Sequence, residues 1–175
     1  MISVTDAQIQ AYTQPLVGAR LPATTLPGLL ASHQLVIVHF LRHLGCLFCK
    51  HTVTDLHKLV ASSKRFPPLY FVHQSPVEAG EQFFEQYFPG AAHIADPQRN
   101  LYKLFGILRM SPLQLLNPRM LAEGLRARSK GLTQKEVLGD EWLLSGTFLF
   151  QDGKLRWQHR AKHAADYPSW QKLTV

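Results

Sequence analysis

The chain carries two cysteines, Cys46 and Cys49, separated only by Leu47 and Phe48. Two sulfurs at that spacing can cycle between dithiol and disulfide, supply two tetrahedral metal ligands, or sit in the core as inert thiols. The surrounding pattern ranks these options. Ahead of the pair, Leu35-Val-Ile-Val-His-Phe-Leu41 is almost continuously apolar and rich in β-branched residues, which predicts a central strand covered on both faces. After it, Cys49, Val53, Leu56 and Val60 recur at three- and four-residue steps, which is helical periodicity. The pair therefore spans the hand-over from strand to helix. A helix N-terminus carries roughly half a positive charge and unpaired N–H groups, and the thiolate is the form of cysteine that attacks. Cys46, just ahead of the helix, is assigned as the nucleophile. Cys49, on the first turn, is assigned as the resolving thiol.

Neighbouring residues add to that chemistry. Arg42, Lys50 and His51 lie close in sequence and contribute positive charge. His43, three residues before Cys46, is a candidate donor to the thiolate or to the bond being broken; a loop histidine in contact with solvent is the plainer alternative. His39 alternates into the strand and reads as a core histidine bonded to backbone. Nine histidines leave a Cys2His2 metal site open, although there is no second CxxC and no histidine pair at finger spacing after the motif.

The elements that must hold these residues follow in order. Ser3 or Thr5 caps a short helix ended by Pro15, and residues 15–28 read as extended chain and turns. Residues 69–73 predict a second buried strand, parallel to the first. Ser75, Pro76 and Glu78 form a capping-box pattern for a helix whose Phe83, Phe84, Tyr87 and Phe88 face the core. A short strand at 93–95 precedes a helix from Asp96-Pro97 to Phe105. Residues 107–140 read as a helical insertion, with Met120, Leu121 and Leu125 in a helical pattern. A strand at 142–150, the turn signal Asp152-Gly153 and a return strand at 155–160 predict a hairpin, followed by a short final helix. Trp142, Phe148 and Phe48 are expected to wall the site.

Composition bounds the rest. At 175 residues with 46% hydrophobic and 18% charged content, one globular domain is expected. The net charge of +7 is scattered, apart from a cluster at Arg119, Arg126, Arg128, Lys130 and Lys135, which reads as a solvated helix face or, more sharply, as a site for an acidic partner or substrate; no nucleic-acid partner is expected. Residues 1–15 lack the basic and apolar regions of a signal peptide, and no apolar run approaches the ~20 residues of a membrane span. A cytoplasmic, reducing setting is the expectation.

This order of elements resembles the thioredoxin-like superfamily. Within it, the chain is most similar to CxxC-containing peroxiredoxin-like proteins of the alkyl hydroperoxide reductase/thiol-specific antioxidant group. The likeness spans residues 18–173 and rests on Phe40-Leu-Arg-His-Leu-Gly-Cys-Leu-Phe-Cys49, Gly139-Asp140, Ser145-Gly-Thr-Phe-Leu-Phe150 with Asp152-Gly153, and Asp166-Tyr-Pro168. It implies an α/β fold: a central mixed sheet flanked by helices, with the insertion placed before the C-terminal hairpin. It implies Cys46 and Cys49 as catalytic thiols beside His43. On the substrate side it implies the start of the hairpin strand, Ser145, Gly146 and Thr147, packed next to the motif, to which Arg42 and Phe48 are added from their places beside the cysteines. No cofactor is called for. The implied partners are a peroxide or protein thiols, a reducing partner such as thioredoxin or glutathione, and a second copy of the chain in a homodimer. The chain departs from typical relatives at three places. His39 and His43 stand where they carry Pro and Thr/Ser ahead of the reactive cysteine, and Ser145 stands where they carry Arg. His43, three residues before Cys46, is the candidate to replace the lost donors; Arg42, Arg119 and Arg160 are more distant ones. Two further readings are a non-catalytic module that docks a partner through an exposed motif loop, and a metal-binding protein using the CxxC.

Overall fold

A computed structural model describes residues 4–112, 118–129, 131 and 139–173. The organising strand is β2 (Leu35–Phe40). It pairs in parallel with β3 (Leu69–His73) and antiparallel with β5 (Gly146–Gln151). With β1 (Val17–Ala19), β4 (Ala92–Ala95) and β6 (Lys154–Arg160) they form one mixed sheet in the order β1-β4-β3-β2-β5-β6. Alternation along β2 serves two cores. Val36, Val38 and Phe40 join Tyr70, Val72, Ile94, Phe148 and Phe150 under α1 (Asp6–Gln10), α2 (Leu26–Ala31) and α5 (Asn100–Leu104). On the opposite face Leu41 and Phe71 meet the cysteines, Val53 and Leu56 of α3 (Leu47–Ser62), and Phe83 and Phe84 of α4 (Val77–Tyr87). Each large apolar side chain so buried stabilises the fold by about 1.5–3 kcal/mol.

The expected elements are present, with boundaries moved by identifiable contacts. Thr5 caps α1 in a capping box with Gln8; Ser3 lies outside the described residues. The helix after β3 starts at Val77 without the expected Ser75–Glu78 box, and the Ser75 N–H donates instead to His73 Nδ1 at 3.3 Å. The helix opened by Asp96 is shorter than read. Arg99 is left-handed (φ 61°), and the Asp96 carboxylate accepts from the N–H groups of Asn100, Leu101 and Tyr102 at the true first turn. Strand β5 begins at Gly146 and not at Trp142: ahead of it the chain leaves the sheet, and the Glu141 and Leu143 carbonyls accept from Arg42. Asp152 and Gly153 both have positive φ, the primed turn that suits a two-residue hairpin. Within the expected insertion, α6 (Pro118–Ser129) packs on α3; Arg126 and Arg128 are exposed, Arg126 pairs with Glu123 at 2.7 Å, and Lys130 and Lys135 lie outside the described residues. Among the described residues no helix is long and apolar enough to cross a membrane.

Three buried histidines make the fold acid-sensitive. His73 Nε2 sits 3.0 Å from His93 Nδ1, both fully buried, and Gly80 of α4 lies so close that a Cβ there would fall 2.3 Å from His73 Nε2. Burial pushes His39 and His73 down to about 3 and His93 down to about 4. These groups stay neutral in the folded chain but bind protons near pH 6.5 when unfolded. Stability is therefore present above that pH and is lost as pH falls toward about 4, by roughly 1.4 kcal/mol per pH unit for each histidine. Urea midpoints measured from pH 7 to pH 4.5 test this; a flat profile would contradict it.

Candidate functional site

Cys46 occupies the N-cap of α3 with extended backbone angles, and its carbonyl accepts the Lys50 N–H at 3.1 Å. Cys49 follows on the first turn. The sequence assigned both places, and the two thiols are free and hydrogen-bonded to each other. Arg42, in the turn between β2 and α3, touches both sulfurs: its Nη1 lies 3.2 Å from Cys46 Sγ, and its backbone N–H donates to Cys49 Sγ at 3.3 Å. Arg42 is therefore in direct contact with the pair, nearer than its sequence position implied.

The rest of the guanidinium is fixed. Nε donates to the Leu143 carbonyl at 3.1 Å and Nη2 to the Glu141 carbonyl at 2.7 Å. Gln74 ties that loop back to the turn. Its amide nitrogen donates to the carbonyls of Arg42 and Asp140, and its oxygen accepts the Asp140 N–H at 2.8 Å. Gly139 has φ +115° and a Cβ there would meet Gln74 at 2.9 Å, so glycine is required for the approach. The Asp140 carboxylate pairs with Arg99 at 3.2 Å and with Arg109. Burial pushes Asp140 up, but Arg109, the Trp142 N–H and Arg99 outweigh it and hold the carboxyl below its usual range.

These contacts split the two thiols. Burial raises both. At Cys46 the hydrogen bond from Cys49, then the charge on Arg42 and the proximity of His43, outweigh burial and hold the thiol well below its ordinary value. At Cys49 burial, donation to Cys46 and the neighbouring negative charge act together, and the thiol is pushed well up. The two thiols are thus shifted in opposite directions, Cys46 toward the thiolate and Cys49 toward the protonated thiol.

The remaining assigned residues scatter around this centre. His43 is not a solvent-facing loop histidine: it is 1% exposed and its Nδ1 has no hydrogen-bond partner. Burial lowers its pKa, outweighing the opposing pull of Cys46. Lys50 is buried within electrostatic reach of His43, and His51 pairs with Asp55 at 3.3 Å. Phe48 and Ser145 line a small cavity of about 10 Å³ with Arg42, Cys49, Thr52 and His39. Thr147 turns its hydroxyl to His39 Nδ1 at 2.9 Å, and Gly146 pairs with Phe40 in the β2–β5 ladder. Arg160 is held elsewhere, on the carbonyls of Phe105 and Gly106, and Phe148 belongs to the opposite core, so neither walls the site. The side chain of Arg119 lies outside the described residues. Among the described residues no group of three or more His, Cys, Asp or Glu side chains is placed to hold a metal ion.

Three contributors were not read from sequence as site residues. Gln74 carried no signal. Asp140 and Tyr167 lie in short motifs, Gly139-Asp140 and Asp166-Tyr-Pro168, whose contacts only the fold supplies. The Tyr167 hydroxyl donates to the Phe48 carbonyl at 3.4 Å, and burial, with the nearby charge of the cysteines, raises its pKa. The motif is also covered, contrary to an exposed docking loop: Cys46 is 1% and Cys49 4% exposed. Gly124 of α6 faces Phe48, and Ala161 and Ala164 close the other side with Trp142.

Comparisons with known proteins agree with this architecture. Residues 55–163 match the family described as AhpC/TSA antioxidant enzyme; the match begins just after the two cysteines. A comparison with curated proteins finds no match. Among solved structures, peroxiredoxin Q of Xanthomonas campestris is similar with a TM-score of 0.62 at 18% identity, covering 94% of this chain and 89% of that one. A mutant of the peroxiredoxin 6 of Arenicola marina gives 0.63 at 12% identity, covering 99% and 70%. The thiol peroxidase from Chromobacterium violaceum gives 0.59 at 12% identity, covering 93% and 81%. At such identities the likeness concerns the fold: a mixed sheet flanked by helices, the thioredoxin-like arrangement anticipated from the order of elements. With well over half of its length matched, the chain belongs to the AhpC/TSA antioxidant enzyme family.

Proposed function

We propose that the protein is a thiol-dependent peroxidase in which Cys46 and Cys49 cycle between dithiol and disulfide. The observation that carries this is the placing of the Arg42 guanidinium and the Cys49 thiol on the Cys46 sulfur at the start of α3. In the first step the Cys46 thiolate attacks one oxygen of a hydroperoxide. An S–O bond forms, the O–O bond breaks, and the departing alkoxide or hydroxide takes up a proton. Arg42, with Nη1 already at the sulfur, is placed to stabilise the charge that moves onto that oxygen. In the second step Cys49 attacks the sulfenic sulfur of Cys46. The S–S bond forms and water leaves, carrying the proton of Cys49. An external dithiol or two glutathione thiols then return two electrons and two protons.

The adjacency of the two sulfurs supports a local disulfide formed without a large rearrangement. The tight cover supports a small oxidant: a cavity of about 10 Å³ accommodates about one water, so anything larger requires α6 or residues 161–168 to shift. One equivalent of hydrogen peroxide is expected to consume both thiols of the reduced protein and leave an intramolecular Cys46–Cys49 link, read by thiol titration and peptide mass spectrometry. Persistence of both thiols under excess peroxide, with the protein folded, would contradict the proposal.

A further inference from the structure

Tyr102 of α5 does not line the cavity at the cysteines, yet it is 2% exposed and reaches the turn that carries them. Its place is fixed by its own helix and by the sheet. The Asp96 carboxylate accepts the Tyr102 N–H at 3.2 Å, and the Asp96 N–H donates to the His73 carbonyl, at the end of β3, at 2.8 Å. The ring stands edge-on to Phe40, the last residue of β2, with centroids 5.1 Å apart. The phenol is thereby held at the C-terminal ends of β2 and β3, where the chain turns toward Cys46.

There the Tyr102 hydroxyl donates to the Leu41 carbonyl and, at 3.0 Å, to that of Val72. Leu41 is the first residue beyond β2. Its N–H still donates to the Val72 carbonyl at 2.9 Å, while its own carbonyl is taken by the phenol. The other half of the same peptide group is the Arg42 N–H, which donates to Cys49 Sγ at 3.3 Å. A trans peptide is planar, with its C=O and N–H pointing in opposite directions, so gripping the carbonyl aims the N–H. A carbonyl that accepts a hydrogen bond also leaves its amide proton a better donor. Phenol, peptide and resolving sulfur thus form one line joined by two hydrogen bonds. Burial, with the charges of Cys49 and Asp96, pushes the Tyr102 pKa well above its ordinary value, so the hydroxyl keeps its proton.

We infer that Tyr102 is a positioning residue for the resolving thiol: it holds the Leu41–Arg42 peptide so that the Arg42 N–H meets the charge developing on Cys49. The inference rests on the proposed dithiol–disulfide cycle. In its second step Cys49 attacks the sulfenic sulfur of Cys46. The S–S bond forms, the S–O bond breaks, and the hydroxyl departs as water with the Cys49 proton. As that proton leaves, negative charge grows on Cys49 Sγ, and an N–H already aimed at the sulfur stabilises it. The first step draws on the Arg42 guanidinium instead, which lies on Cys46 Sγ and is fixed by the Glu141 and Leu143 carbonyls. The two steps therefore depend on different halves of Arg42. A tyrosine that only tied two strand ends together would support both steps alike.

Tyr102→Phe removes the hydroxyl and keeps the ring. On the reduced full chain, rapid mixing with hydrogen peroxide reads the loss of the Cys46 thiolate and, separately, the formation of the Cys46–Cys49 link. The first rate is expected to stay within about twofold of the parent and the second to fall about tenfold, with sulfenic acid accumulating. In a Cys46→Ser background, where Cys49 is the sole thiol, Tyr102→Phe is expected to raise the Cys49 pKa. Equal slowing of both steps, an unchanged second step or an unchanged Cys49 titration would each overturn the inference. If the variant does not fold, amide hydrogen exchange on the parent decides. The Arg42 N–H is expected to exchange as slowly as the β2 ladder, and rapid exchange would overturn the assignment. The titration uses no peroxide, so a parent inert to peroxide would sink the peroxidase reading and leave the Cys49 result standing.

Discussion

Replacing Cys46 with serine is expected to abolish peroxide-dependent oxidation, while replacing Cys49 with serine stops the cycle one step later. The two variants separate roles that the structure makes unequal. A hydroxyl at position 46 would sit against Arg42 as the sulfur does, but it does not ionise in the working range, so no nucleophile forms. At position 49 the loss is of the resolving thiol only. Cys46 should still be oxidised once, accumulating as a sulfenic acid that a dimedone-type reagent captures, or as a mixed disulfide with added thiol. A serine hydroxyl buried among Leu41, Val53 and Leu56 costs about 1–3 kcal/mol, so thermal unfolding of each variant is measured first. Peroxide consumption surviving Cys46→Ser would show that the cysteine at the helix start is not the reacting group.

The second large effect belongs to Arg42→Met. This removes the cation at 3.2 Å from Cys46 Sγ and leaves the carbonyls of Glu141 and Leu143 without their donor. The Cys46 pKa should rise toward that of an ordinary cysteine, and the rate of reaction with peroxide at neutral pH should fall on the order of 100-fold. Arg42→Lys is the discriminating companion. It keeps the charge but not the planar fork that bonds two carbonyls and a sulfur at once, so only partial recovery is expected. Full recovery by lysine would reduce the role of Arg42 to charge alone. No change in either variant would remove it from the mechanism.

The parts of this fold legible in the sequence are those fixed by short-range pattern. The apolar run of β2 can only be a covered strand, the Asp152-Gly153 turn dictates the hairpin, and three-residue spacing brings Cys49 under Cys46 once a helix begins between them. The contacts of Arg42 were not legible. The residue stands four before Cys46, but its value comes from carbonyls about a hundred positions downstream, held there by Gln74 and Asp140. Those partners are joined by the loop that leaves the sheet before β5, the same departure that moved the start of that strand. The cover on the motif was hidden for a related reason. Phe48 looks like an exposed apolar residue in a loop until α6 and residues 161–168 are folded over it. His43 shows the converse error: a polar residue in a turn reads as solvent-facing, yet the turn is roofed and the ring is buried.

The most direct test is a thiolate titration of the reduced protein, followed by ultraviolet absorbance and repeated on Cys46→Ser and Arg42→Met. Two well-separated steps are predicted, one far below the ordinary thiol range and one far above. The lower step should vanish in Cys46→Ser and move up in Arg42→Met. A single transition in the ordinary cysteine range, unchanged by either substitution, would contradict the claim that this fold holds one sulfur as a stabilised anion with its partner protonated beside it.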